Sequence, residues 1–360
     1  MDTITKTKVY NLIILDKSGS MISIANAAIA GFNETIGGIR SAQKQFSDTQ
    51  EHYVSLLPFC ACSMDYVYDC VPVEKVKKLT QSDYEPCCST PLYDAMGKGI
   101  NELHKKLKDM KNAIAVVTVI TDGMENASRE YSGAAIKALV DRMRELYGWN
   151  FAYIGTNQDV EVVAESLSIT NTFFFEDTQE GMHEAWRRER KANHRLFAKV
   201  QACMSSSYDE ESPSFCVVQD AVRNNKYYQN IDEFEHRMTP NRINSLKEGQ
   251  IFVFGSNAKG NHNGGAAHAA VTKFGAVMGQ SEGLQGRSYA IPSTEGMEAL
   301  AKHVLTFIAF AKEHPEMTFI VTRIGCGSAG HDVEEVARLF VGAVDVENVW
   351  LPKEFWEELI

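Results

Sequence analysis

The chain opens with blocks of apolar residues separated by polar turns. Val9-Tyr10-Asn11-Leu12-Ile13-Ile14-Leu15 holds a single polar residue, Asn11, which predicts a strand covered on both faces. Ile24, Ala28, Phe32, Ile36 and Ile39 then recur at helical spacing within Ile24 to Phe46, and Gly37-Gly38 weakens that helix near its end. Tyr53 to Phe59 reads as a strand, with Asp65 to Val71 as its alternating hairpin partner. A helix from Leu92 turns Met96, Ile100, Leu103 and Leu107 inward, and Ile114 to Thr121 is a second buried strand. A helix over Tyr131 to Tyr147, a strand over Asn150 to Thr156, a short helix over Val160 to Leu167 and a strand over Thr172 to Phe175 complete the alternation. Strands and helices in this order predict an α/β fold with a doubly wound, Rossmann-like sheet over residues 6–177.

The pattern changes over residues 178–248, which read as a helical connector. Glu180 to Val200 is a charged helix whose Arg187, Arg188, Arg190 and Lys191 fit a solvated face, with phosphate or partner binding as the alternative. Met204 to Pro213 has linker composition, and Phe215 to Lys226 is not assigned.

Residues 249–360 form a second, smaller α/β domain. The strand Gln250 to Ser256 ends at Asn257, and a turn containing Gly264 and Gly265 opens a helix of small residues. Gly283 to Pro292 is a loop and strand. The helix Glu298 to His314 turns Leu300, Val304, Leu305, Ile308 and Ala311 inward. The strand Thr318 to Ile324 runs into Gly325-Cys326-Gly327-Ser328-Ala329-Gly330-His331, followed by a helix over Val333 to Val344. Strand, glycine turn and helix start form a cradle for phosphate, and two cradles suit a ligand with more than one phosphate, or a phosphate and a ribose.

Composition narrows the classes. With 36 basic against 47 acidic residues the net charge is −11, which argues against non-specific nucleic-acid binding. No apolar run reaches the ~18 residues of a membrane span, and Met1 to Lys6 is too polar for a secretory signal, so a cytoplasmic protein is expected. Eight cysteines without that signal are expected as reduced thiols. Cys60, Cys62, Cys87 and Cys88 lack the Cys-x-x-Cys pairing of common zinc sites, so buried apolar thiols are expected there.

Chemistry concentrates at the turns after the two apolar strands. Asp16-Lys17-Ser18-Gly19-Ser20 places a carboxylate and two hydroxyls on alternate residues, where three oxygens can face one hard cation; taken alone, Asp16 and Ser18 also fit a helix cap. Ser89-Thr90-Pro91 adds a threonine ahead of a helix, and Asp122-Gly123 adds a second carboxylate. The set Asp16, Ser18, Ser20, Thr90 and Asp122 resembles the metal-ion-dependent adhesion site of von Willebrand factor A domains. That resemblance implies Mg²⁺ (or Mn²⁺) held by these five residues, and an acidic group of a protein partner docking on it. The loop Gly123 to Ser128 lies beside this position.

The order of segments in residues 250–355 resembles the macro domain family, which binds ADP-ribose. The resemblance implies a macro-like domain contacting ADP-ribose or a related nucleotide through Asn257, Gly264, Gly265, Gly286, Gly325, Gly327, Ser328, Ala329 and Gly330, with Tyr289 and Pro292 on the intervening strand. Gly255-Ser256-Asn257 departs from the family's Asn-Ala-Ala-Asn run, the glycine run is shorter, and the acidic residue that selects adenine has no clear equivalent. Members include binders and hydrolases of ADP-ribosyl bonds, so the expectation stays open between them. Asn257, His331 and Asp332 are the catalytic candidates, His331 or Asp332 as general base. His262, His268 and Cys326 also stand in the two loops; His262 and His331 are expected to be exposed, and Cys326 to be a small packed residue.

The joint expectation is a metal-dependent partner-binding module fused to a nucleotide-binding domain that hydrolyses an ADP-ribosyl linkage or only binds. A hydrolase of another phosphorylated nucleotide and a purely structural second domain are the rivals.

Overall fold

β1 (Thr7–Asp16) is the axis of the first unit. All its residues but Lys8 are buried, as a strand flanked on both faces by helices requires. The computed structural model describes residues 6–110, 112–156, 160–205, 218–219, 222, 231–327 and 329–360. Its two compact units are Met1–Tyr228 and Gln229–Ile360.

In the first unit β1 pairs in parallel with β2 (Gln50–Phe59) on one side and β4 (Ala113–Thr121) on the other. β5 (Asn150–Gly155) and β6 (Asn171–Phe174) extend the sheet in parallel beyond β4, and β3 (Tyr68–Pro72) closes the other edge antiparallel to β2. The order β3-β2-β1-β4-β5-β6 is doubly wound, as the alternation of elements predicts. The winding reverses direction between β1 and β4. The helices are α1 (Ala25–Gln45), α2 (Leu92–Leu107), α3 (Gly133–Tyr147), α4 (Val160–Ser166) and α5 (Gln179–Ser205). Tyr10, Leu12 and Ile14 on one face of β1 share a core with Met96 and Ile100 of α2 and Ile136 and Val140 of α3.

The boundary of this unit differs from the sequence reading. α5 is not a free connector: Met182, Ala185, Trp186, Leu196, Phe197 and Val200 are buried. A Cβ on Gly31 of α1 would stand 1.9 Å from the Trp186 ring, so glycine is what lets the two helices meet there. Arg187 and Arg188 bond Glu184, and Arg190 bonds Glu34, which makes the basic run an ion-paired helix face. Of the predicted linker, residues 206–213 lie outside the described residues, as do Cys216 and most of Phe215 to Lys226.

The second unit is built on β7 (Gln250–Ser256), between β10 (Thr318–Val321) and β9 (Ser288–Pro292), both parallel to it. β11 (Val349–Trp350) adds in parallel beyond β10, and β8 (Gly283–Gln285) pairs antiparallel with β9, giving β11-β10-β7-β9-β8. Its helices are α6 (Gly265–Phe274), α7 (Met297–Glu313), α8 (Val333–Leu339) and α9 (Lys353–Leu359). On α7, Leu305 is 53% exposed and Phe307 fills the core instead, a correction to the predicted stripe. The segment before β7 also belongs here. Buried Arg237 donates to the carbonyls of Ala343, Val344, Val346 and Val349 and lies 5.0 Å from the Trp356 ring.

Candidate functional site

The first candidate site sits at the C-terminal ends of β1 and β4, the two neighbouring strands between which the winding reverses. Open α/β sheets leave a crevice there. Asp16 is the last residue of β1, and Asp122 follows the last residue of β4. Ser18 and Ser20 lie at the start of the 3-10 turn Gly19–Ile24, and Thr90 lies just ahead of α2. Asp16, Ser18 and Thr90 are buried, and Ser20 is exposed.

The five residues converge. Ser18 Oγ is 3.1 Å from Ser20 Oγ, which donates to Asp122 Oδ1 at 2.7 Å. A Cβ placed on Gly123 would stand 3.3 Å from Thr90 Oγ1, 3.6 Å from Ser20 Oγ and 3.9 Å from Asp16 Oδ2. The absence of a side chain there leaves open the space those oxygens bound.

Residues that sequence reasoning missed hold this geometry. Thr121 Oγ1 donates to Asp16 Oδ2 at 2.6 Å, and the Ser18 amide donates to Asp16 Oδ1 at 2.6 Å. The Tyr84 hydroxyl donates to the Asp16 carbonyl. Asn126 clamps Thr90 reciprocally: Asn126 Oδ1 accepts the Thr90 amide at 2.9 Å and the Asn126 amide donates to the Thr90 carbonyl at 3.2 Å. Thr156 Oγ1 donates to the Asp122 carbonyl at 2.7 Å. A hydroxyl closing a buried strand just ahead of Asp122, as at Thr121, is a signal visible in sequence; Tyr84 has none.

Electrostatically the site gathers negative charge. Burial raises the Asp16 carboxyl above its usual range, opposed by the bonds from Thr121 and Ser18. Burial first, then the charges of Asp16 and Asp177, push Asp122 up to about 6 against the bond from Ser20. Asp122 Oδ2 is buried and has no hydrogen-bond partner among the described residues. Two carboxylates and three hydroxyls are hard oxygen donors, the chemistry that Mg²⁺ or Mn²⁺ takes. The residues present therefore fit a divalent ion.

The predicted nucleotide residues of the second unit separate. Asn257 follows β7 and is spent on its own turn: Oδ1 accepts from the Lys259 and Asn261 amides, and Nδ2 donates to the Asn261 carbonyl at 2.8 Å. Asp332 caps α8, accepting from the Glu334 and Glu335 amides at 2.9 and 3.2 Å. His331 Nε2 donates to the Ser293 carbonyl at 2.9 Å. His262 is buried rather than exposed; it bonds Ser256 Oγ at 2.9 Å, and burial lowers its pKa.

Gly264, Gly325, Gly327, Ala329 and Gly330 lie in the loops after β7 and β10, at the C-terminal edge of the sheet, and Gly265 is the first residue of α6. A Cβ on Gly264 or Gly327 would meet nothing within 4 Å. Gly286 does not join them. It has φ +56° in the β8–β9 turn, at the opposite edge, where a Cβ would stand 2.9 Å from the Gly275 carbonyl oxygen. Its glycine serves that turn and close approach. Ser328 lies outside the described residues. A cleft of about 540 Å³ opens beside β7 and β10, where this winding also reverses. Ala266, Gly327, Cys326, Asn241, Arg323 and Glu354 are among its lining residues; Asn257, His331 and Asp332 are not.

The seven described cysteines are free thiols. Cys60 is buried, but Cys62, Cys87 and Cys88 are exposed, which corrects the expectation of buried apolar thiols.

No protein-family model matches the sequence, and no curated protein matches it. Among solved structures, the open form of the pilus adhesin SpaC from Lactobacillus rhamnosus GG aligns with 54% of this chain at 13% identity and a TM-score of 0.40; the alignment spans 31% of the adhesin. The manganese-loaded TRAP protein of Plasmodium vivax aligns with 50% of this chain and 71% of its own, at 16% identity and TM-score 0.33. The SpRpn10 VWA domain aligns with 50% of this chain and 94% of its own, at 10% identity and TM-score 0.34. Among the described residues, no helix is long and apolar enough to cross a membrane. The first unit is a doubly wound, mainly parallel sheet of six strands flanked by helices.

Proposed function

We propose that the first unit binds a divalent cation, Mg²⁺ or Mn²⁺, through Asp16, Ser18, Ser20, Thr90 and Asp122, and presents it to an acidic group of a protein partner. The observation that carries this reading is the unpartnered, buried Asp122 Oδ2 beside the gathered oxygens of Asp16, Ser20 and Thr90. A bound cation supplies a Lewis acid to which a partner carboxylate can bind. Ser18, Ser20 and Thr90 add no charge of their own, so the site neutralises the ion only partly. Ile22 and Met124, 65% and 60% exposed, flank Ser20 and Asp122 in the chain and offer apolar contact around the ion. Titration of Mn²⁺ into the full chain tests the reading. Saturable binding in the native chain and its loss in a folded Asp122→Ala variant are expected; equal binding by both would refute it.

For the second unit we propose binding of ADP-ribose or a related phosphorylated nucleoside in the cleft beside β7 and β10. The cleft volume lies within the ~300–1,000 Å³ of small-ligand sites, and it stands at the reversal of the winding. Binding without turnover is favoured over hydrolysis, because Asn257, Asp332 and His331 are engaged in local structure and none lines the cleft. Calorimetric titration of ADP-ribose, with AMP and ribose-5-phosphate as controls, tests this part. Selective binding without product release supports it; absence of heat and of thermal shift removes it.

A further inference from the structure

Four thiols from two loops meet beside the candidate metal turn. The first pair comes from the tight turn after β2, Cys60 to Ser63, closed by the Cys60 amide on the Ser63 carbonyl at 2.9 Å. The second pair is Cys87-Cys88, in the loop that leads to Thr90. Cys62 Sγ is 2.6 Å from Cys88 Sγ, and Cys60 Sγ is 3.5 Å from Cys87 Sγ. The sulfurs of Cys62, Cys87 and Cys88 all lie within 4.8 Å of one another. These three sulfurs form a triangle, and Cys60 joins it through Cys87, so the thiols make one connected group rather than two isolated pairs. The Cys60 sulfur faces the backbone N–H groups of Cys62 and Ser63, donors that suit a thiolate. Cys88 has φ +64°, a backbone region rare outside glycine, at the point where two adjacent residues must send both sulfurs to one place.

We propose that Cys60, Cys62, Cys87 and Cys88 form a tetrathiolate site for a soft divalent cation of the zinc(II) class. Thiolate sulfur selects zinc over magnesium, so this site and the oxygen site of Asp16 and Asp122 take different ions. Binding exchanges up to four thiol protons for one metal ion, with no change of oxidation state. Tetrahedral zinc with ~2.3 Å bonds sets its sulfurs about 3.8 Å apart, so the Cys62–Cys88 edge opens by roughly 1 Å on loading. Joining the same two sulfurs in a disulfide would need them to close to ~2.05 Å, and would leave the contacts between the two pairs without a role. The site staples the loop after β2 to the segment that holds the metal turn. The Gly19 amide donates to the Cys88 carbonyl at 2.9 Å, the Cys87 amide to the Lys17 carbonyl at 2.8 Å, and the Ala61 amide to the Ser89 carbonyl at 2.9 Å. The common Cys-x-x-Cys pairing is absent because each loop contributes its ligands at a closer spacing.

The test is cobalt(II) titration of the reduced full chain, read by absorption, with zinc content of the purified protein measured by elemental analysis. One cobalt per chain is expected to give thiolate-to-metal charge-transfer bands and the intense visible bands of a tetrahedral site, and zinc is expected to displace it. Asp122→Ala keeps these bands, since oxygen ligands produce no thiolate charge transfer. Cys62→Ser and Cys88→Ser, each an exposed position, are expected to keep the native circular dichroism. Each should weaken cobalt binding by more than the roughly 10–100-fold lost with an outer-shell partner. Absence of charge-transfer bands in the folded, reduced protein overturns the proposal. So does undiminished binding in both serine variants. Unreduced protein that lacks zinc, weighs two hydrogens less per bond and joins these cysteines in its peptide map would assign the cluster to disulfide chemistry instead.

Discussion

Asp122 links the chemistry of the first unit to pH. Its carboxyl, pushed up to about 6 by burial and by the neighbouring Asp16 and Asp177, is protonated more readily in the folded chain than in the unfolded one, where a value near 3.8 applies. A raised carboxyl contributes stability that is fully present below the unfolded value and is lost as pH rises through the folded one. Without a metal, the first unit should therefore lose stability between about pH 4 and 6. For this partly exposed group the loss is on the order of 1–2 kcal/mol after allowance for solvent screening. A divalent ion reverses the sign, since it binds the carboxylate and competes with the proton. Metal affinity is expected to fall as pH drops through about 6, and the stabilisation by Mn²⁺ to be largest above it. Thermal denaturation at pH 5 and pH 7.5, with and without Mn²⁺, reads both effects. In Asp122→Asn the metal-free loss between these pH values should shrink and the Mn²⁺ effect should vanish. A Mn²⁺ stabilisation that stays equal at both pH values would exclude Asp122 as a ligand.

At the scale of elements, the packing of α5 on α1 turns on one missing methyl group. Gly31→Ala would put a Cβ 1.9 Å from the Trp186 ring, against a side chain that is itself fully buried. Overpacking of this kind costs about 1–3 kcal/mol, and more where the neighbour cannot rotate away. Chemical denaturation should show that loss, and Trp186 emission should shift red if the helix lifts. An unchanged midpoint would mean that α5 is only loosely held. The same contact shows what periodicity leaves unsaid. β1 and β4 were legible because central parallel strands are apolar on both faces, and Asp16 and Asp122 because they stand where those apolar runs stop. The membership of α5 was not legible, because its charged face dominates the pattern and Gly31 meets Trp186 across more than 150 positions of sequence. Gly286 was misplaced for a related reason: the order of segments says that a glycine turn exists, not which edge of the sheet it occupies. Cys60 and Cys62 meet Cys87 and Cys88 only once β2 and the loop before α2 run side by side. β11 and α9, with two and seven residues, are too short to carry a periodic signal of their own.

For the whole molecule, the division into Met1–Tyr228 and Gln229–Ile360 carries a thermodynamic consequence. Each unit has its own sheet and its own buried cluster, so each has the makings of a cooperative transition of its own. A ligand stabilises only the folded unit that binds it, by about 2.7 kcal/mol at a hundredfold excess over its dissociation constant. Scanning calorimetry of the full chain should resolve two transitions. Mn²⁺ should raise one of them by several degrees and ADP-ribose the other, and adding both should give the sum of the separate shifts. Asp122→Ala should abolish the Mn²⁺ shift while leaving ADP-ribose affinity within about twofold of the native value, since sites without shared partners act additively. A single transition that both ligands move together would mean that the units unfold as one. Loss of ADP-ribose affinity in a folded Asp122→Ala chain would mean more, because binding linkage is reciprocal. ADP-ribose would then have to change Mn²⁺ affinity by the same factor, and the two sites would belong to one switch rather than to two modules.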